Sequence, residues 1–148
     1  MTAICKHMNL TSLESQILKS DLIEFLHAHL DRFRDSPSAI SKALDYAFST
    51  ESGKGGFVLL AWENKLLAGA LVMNKTGMQE FIPPYILVYI AVNPDLRSRG
   101  IGSALIRDAF KICDADIALH VEYDNPAKLL YERLGFTTKY AEMRWKKG

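Results

Sequence analysis

Residues 85–92 of this chain read YILVYIAV, a run without charge, and a few positions later the sequence changes to DLRSRGIGSALI (95–106). A strand apolar on both faces has to be covered on both, as in the interior of a layered sheet. The run after the glycines has apolar residues at helical spacing, so the pair reads strand, turn, helix. The turn between them carries Arg97, Arg99, Gly100 and Gly102. The first amides of a helix lack intrahelical acceptors, and the helix dipole adds partial positive charge there. An anion, a phosphate above all, is stabilised at such an end. The same residues also suit a tight turn with solvated arginines, and glycine spacing alone does not separate the two readings.

Two familiar phosphate-binding patterns are absent. A dinucleotide fingerprint needs Gly or Ala where Leu105 stands, and a P-loop needs Ser or Thr after Gly-Lys, where Gly55 follows Lys54. What remains is R-x-x-G-x-G from Arg97 to Gly102, just after the exit Val92-Asn93-Pro94.

The rest of the chain supplies the layers. Residues 2–8 suit a short first strand. TSLE (11–14) suggests a capping box opening a helix whose apolar positions run from Leu13 to Phe33. Ser36 and Pro37 announce a second helix with Ile40, Ala43, Leu44, Ala47 and Phe48 on its inner face. Residues 57–73 read as two strands around a turn at 63–65, and 74–84 as a loop ending in two prolines. A helix over 100–113 and a strand over 116–123 complete a βαβ unit, which makes that strand the parallel neighbour of 85–92. NPAKLLYERLG (125–135) is a short helix capped by Asn125 and closed by Gly135, and 140–145 alternate like a last strand. The expectation is an α/β fold, one domain over 1–148, with a mixed central sheet and helices on both faces.

Composition narrows the class. A chain of 148 residues with 49% hydrophobic and 24% charged residues is long and apolar enough for a real core. A formal net charge of +1 offers no basic stripe for nucleic acid, and no run is long enough to span a bilayer. Without a secretory layout at the N-terminus, and with Cys5 and Cys113 far apart, we expect a cytoplasmic protein with reduced thiols and no metal.

With Arg97–Gly102 in front of a helix and Asn125 ahead of LLYERLGF (129–136), the sequence resembles the GNAT-superfamily N-acetyltransferases. Their signature is Q/R-x-x-G-x-G/A between a central strand and a helix, followed later by an Asn and LYE-x-LGF. The resemblance covers about residues 85–136. It implies acetyl-CoA as acetyl donor and a primary amine, on a small molecule or peptide, as acceptor. Ile90, Ala91 and Val92 would offer main-chain groups to the pantetheine arm. Arg97, Ser98, Arg99, Gly100, Ile101, Gly102 and Ser103 would hold the pyrophosphate, mostly through amides. Asn125 would add a polar contact to the arm besides capping its helix. Tyr131 would point its hydroxyl at the sulfur and protonate the departing thiolate, with no covalent acetyl-enzyme formed.

The base is less legible. Many relatives carry a glutamate on or beside the central strand, but YILVYIAV has no acid. Glu122 is the first candidate, His120 the second, Glu80 the third, and a water relay an alternative. Tyr89 either lines an acceptor pocket or fills core. The resemblance assigns acceptor choice to residues 13–50 and 74–84, where Asp21, Glu24, Asp31 and Asp35 suit a cation while Lys19, Arg32 and Arg34 dilute it. A homodimer is open, and a binding module that kept the cleft but lost the chemistry is the competing class.

Overall fold

A computed structural model describes residues 2–148. Strand β1 (Thr2–His7) is followed by helices α1 (Leu10–Glu14), α2 (Lys19–His29) and α3 (Pro37–Phe48), with a 3₁₀ turn at Asp31–Phe33 between the last two. Then come β2 (Gly56–Glu63), β3 (Leu66–Lys75), β4 (Tyr85–Val92), α4 (Ile101–Cys113), β5 (Ile117–Leu119) and α5 (Ala127–Arg133). The sheet runs β1-β2-β3-β4-β5, antiparallel except for the parallel β4–β5 pair. The expected mixed sheet with helices on both faces is therefore present.

Alternation along the strands builds one apolar cluster on each face. Phe57, Leu59, Leu71, Met73 and Leu87 meet α4 and α5 through Leu105, Ile106, Ala109 and Tyr131. Val58, Leu60, Val72, Tyr89 and Ala91 meet α2 and α3 through Leu22, Leu26, Ile40 and Leu44. Each fully buried leucine or isoleucine here contributes about 1.5–3 kcal/mol. Helix α4 also comes very close to the sheet: a Cβ on Gly69 would lie 3.1 Å from both Ile101 and Leu105.

One irregularity in β4 matters more than the regular part. Val72 pairs with Tyr89 but Met73 pairs with Leu87, so Val88 is an extra residue without a partner on β3. This bulge resets the alternation. Tyr85 and Leu87 belong to the α4/α5 cluster, whereas Val88 and Tyr89 both belong to the α2/α3 cluster. Bulges bend a strand and increase its twist. The β4–β5 ladder stops at the same place, with Leu87 opposite Leu119 as its last pair. Beyond it β4 continues to Val92 without a partner on its β5 side, and a cleft opens.

Several expected boundaries move. The cap near residue 10 is Asn9, whose Oδ1 accepts the Ser12 amide at 2.8 Å, and not Thr11. Glu14 instead accepts the Lys19 amide at 3.0 Å, at the start of a separate helix. The long first helix is thus broken at residues 15–18, where the Ser15 hydroxyl bonds the Ser12 carbonyl and competes with helix continuation. The strand expected over 116–123 is only Ile117–Leu119, because its parallel template β4 bends away after Leu87. The last strand expected at 140–145 is not formed. Those residues alternate in sequence but pair with no strand, and Tyr140, Met143 and Trp145 are exposed. The helix at Ser36-Pro37 stands as read, and the turn expected at 63–65 narrows to Asn64–Lys65 because Glu63 still belongs to β2. Ser36 Oγ accepts the Ala39 amide, and both turn residues have positive φ.

Candidate active site

The cleft left by the β4–β5 divergence has a volume of about 830 Å³, within the range of small-molecule sites. Its floor is the free edge of β4, with Ile90, Ala91 and Val92 among its lining residues. One wall is the turn into α4 and the other is α5, while the 3₁₀ linker after α2 borders the far side.

The turn is shaped by its backbone. Ser98 and Gly100 both take left-handed φ, +67° and +75°, and Gly100 is the cap residue of α4 with no side-chain cap bond. The first bond into α4 from the turn runs from the Ala104 amide to the Gly100 carbonyl, so the Ile101, Gly102 and Ser103 amides precede the helical ladder. The residues Arg97, Ser98, Gly100, Ile101, Gly102 and Ser103 all line the cleft. Arg99 does not line it. Gly102 has a second, structural reason to be glycine: its Cβ would stand 3.3 Å from Leu130 of α5. Arg97 Nη2 meets Asp31 of the linker at 3.5 Å.

On the α5 wall the cap position is Pro126 and not the expected Asn125, but Asn125 Oδ1 still accepts the Ala127 amide, the first of the helix, at 2.9 Å while lining the cleft. Gly135, at φ +104°, closes the other end and lets the Phe136 amide reach the Tyr131 carbonyl. That closure sets the Phe136 ring edge-on to Tyr131, centroids 5.8 Å apart. Tyr131 is 8% exposed, faces the cleft, and its hydroxyl bonds no described residue. Burial pushes its phenol up to about 12, so it holds its proton through neutral pH.

The base candidates separate. His120, Glu122 and Glu80 are all exposed, but only His120 lines the cleft. His120 and Glu122 follow the end of β5, so the shared strand face expected for them is not formed. A feature that pattern reading did not supply is the pair Tyr89–Asp35. The Tyr89 hydroxyl donates to Asp35 Oδ2 at 2.6 Å, and both residues line the cleft on the α2/α3 side. Burial, with the Asp35 bond second, raises the Tyr89 phenol far above its ordinary value. The signal for it was the Val88 bulge, and a bulge has no mark in a uniformly apolar strand. Among the described residues no group of three or more His, Cys, Asp or Glu could hold a metal ion, and no helix is long and apolar enough to cross a membrane.

Comparison with known proteins agrees with this geometry. The chain is similar over residues 54–138 to the model of the acetyltransferase (GNAT) domain. Cysteine-rich protein 2-binding protein of Mus musculus is 38% identical over 52 residues, 34% of this chain but 7% of that protein. The chain thus spans a small fraction of the curated relatives it matches. Among solved structures, a GNAT-family acetyltransferase from Streptococcus pneumoniae superposes with a TM-score of 0.67 at 17% identity, covering 99% of this chain and 98% of its own. An aminoglycoside N-acetyltransferase in complex with CoA gives 0.68 at 18% identity, covering 99% and 95%. With more than half of its length matched by the family model, and with a sheet parted beside a glycine-capped helix, this chain belongs to the GNAT acetyltransferase family.

Proposed function

We propose that the chain is an acetyl-CoA-dependent N-acetyltransferase acting on a primary amine, as a single domain over 1–148. The observation that carries this is Tyr131, whose ring is buried in the α4/α5 cluster while its hydroxyl opens on the cleft without a protein partner. A phenol held on a buried ring, with its hydroxyl open to a cleft, is free to donate to a ligand atom there. In this reading the pantetheine arm bonds the free edge of β4 at Ile90, Ala91 and Val92, with Asn125 beside it. The diphosphate sits on the amides from Ile101 to Ser103, with Arg97 as counter-charge.

A neutral amine then attacks the thioester carbon. The N–C bond forms, the carbonyl becomes an oxyanion, and collapse breaks the C–S bond to release thiolate. Burial raises the Tyr131 phenol, so passing its proton fully to a departing thiolate is uphill. Tyr131 therefore acts as a hydrogen-bond donor to the sulfur as negative charge develops there. Such charge-assisted bonds contribute about 1.5–3 kcal/mol. The amine proton leaves through His120 or water. His120 lines the cleft and Glu122 does not, which favours His120 over the first-ranked candidate.

The test has two arms. Calorimetry with CoA should give saturable binding that weakens in Gly100→Ala, because a left-handed φ costs a residue with Cβ about 1–2 kcal/mol. Acetyl-CoA with a panel of amines should release free thiol. Binding without amine-dependent release would instead favour an acyl-CoA-binding module.

A further inference from the structure

We propose that Asp35, held by Tyr89, seats a second, non-reacting ammonium group on the acceptor, which makes short diamines and polyamines the acceptor class. This rests on the acetyl-transfer reading and narrows it.

The linker between α2 and α3 reaches three parts of the cleft, and its charges are not equivalent. Asp31 is paired with Arg97 and Arg32 with Asp124, at 3.5 and 3.0 Å. Asp35 has a neutral partner, the Tyr89 hydroxyl, so its charge is not cancelled by a protein cation. The cleft's arginines come from elsewhere: Arg97 from the α4 turn, Arg133 from α5 and Arg144 from the C-terminal segment, none of them bonded to Asp35. The Val88 bulge turns Tyr89 toward this carboxylate, and the 8% exposed phenol fixes it in place.

Position decides which amine Asp35 would bind. A carboxylate stabilises the charged form of an amine, while the attacking nitrogen has to be neutral. Tyr131 belongs to the α4/α5 cluster and Tyr89 to the α2/α3 cluster, so the two tyrosines line the one cleft from different sides. With the thioester beside Tyr131, Asp35 faces the same cleft from the α2/α3 side, at the end of the Tyr89 side chain. An acceptor that reaches both carries two nitrogens separated by a short chain: one reacts, and the other remains an ammonium on Asp35.

Initial rates of thiol release from acetyl-CoA test this with 1,4-diaminobutane, spermidine and 4-aminobutanol, the last replacing the second ammonium with a hydroxyl. Wild type should prefer the diamine to the amino alcohol by about tenfold in kcat/KM, mostly through KM, which is what a hydrogen-bonded charge pair supplies. In Asp35→Asn that ratio should fall toward unity while calorimetric CoA affinity stays, which certifies the fold. Tyr89→Phe, which keeps the ring, should lower the ratio in part. A ratio unchanged in Asp35→Asn, or a wild type without diamine preference, overturns the proposal alone. No thiol release by wild type with these three amines overturns this inference alone, and only its absence across the wider amine panel overturns the acetyl-transfer reading as well.

Discussion

The two faces of the sheet at the cleft are built by different physics. The α4/α5 face is dense and apolar: α4 packs almost onto Gly69, and Tyr131 is held by the Phe136 ring. The α2/α3 side is also apolar at its base, but its rim is a 3₁₀ linker tethered by polar contacts to Arg97, Asp124 and Tyr89. Packing fixes position within tenths of an ångström, whereas exposed ion pairs hold loosely and exchange with solvent. The difference assigns labour. The rigid face suits a donor shared across a family, and the tethered rim suits an acceptor that varies.

The sharpest way to break this comparison is Tyr131→Phe. The ring and its packing against Phe136 remain, and only the unbonded hydroxyl goes. We expect kcat to fall about 10- to 100-fold, the rate equivalent of a charge-assisted hydrogen bond, with CoA affinity nearly unchanged. Stopped-flow or steady-state thiol release reads the first quantity and calorimetry the second. An undiminished kcat would remove Tyr131 from the chemistry and leave the rigid face with binding alone.

The same contrast explains what the sequence disclosed. The turn from Arg97 to Gly102 and the helix after Asn125 were legible because each needs particular residue types. A left-handed cap at Gly100, a side-chain acceptor at Asn125 and a closing Gly135 are local requirements written in local residues. The β4 bulge was not legible, since Val88 is apolar whichever face it takes and its pairing is decided by β3. The length of β5 was missed for a related reason: it depends on where its neighbour bends. The tail over 140–145 alternates as a strand would, but alternation supplies a face and not a partner. Ranking Glu122 ahead of His120 rests on a strand through both, and β5 ends at Leu119, before either.

A second prediction concerns pH. Burial raises the Cys113 thiol from 9.0 to about 11, and this residue sits in the α4/α5 cluster. A folded-state pKa above the unfolded one means that the native state keeps its proton longer. Its contribution is complete below pH 9 and is lost as pH rises toward 11. The loss should amount to about 2–3 kcal/mol, so the dense face loosens first in alkali. Thermal melts over this window should show Tm falling, and Cys113→Ala should flatten the fall while lowering Tm at neutral pH. Tyr131 and Tyr89 give way only at higher pH, because burial, with the Asp35 bond added for Tyr89, raises both. Equal alkaline loss in Cys113→Ala would place the first ionisation elsewhere.

The smallest expected effect lies on the rim. Arg32 and Asp124 form a bridge at 3.0 Å, with side chains 67% and 66% exposed. Water and salt screen such a pair, and its contribution to folding is about 0–1 kcal/mol. Arg32→Ala should therefore leave Tm nearly where it was. The bridge nevertheless ties the linker that carries Asp35 to the segment ahead of α5, and thus helps to hold Asp35 at the rim. Loosening it should raise KM for the diamine a few-fold while sparing kcat, and added salt should reproduce the effect in wild type. If Arg32→Ala instead lowers Tm by as much as a core substitution does, the rim is as tightly determined as the α4/α5 face. The division between a fixed donor side and an adjustable acceptor side would then have no physical basis.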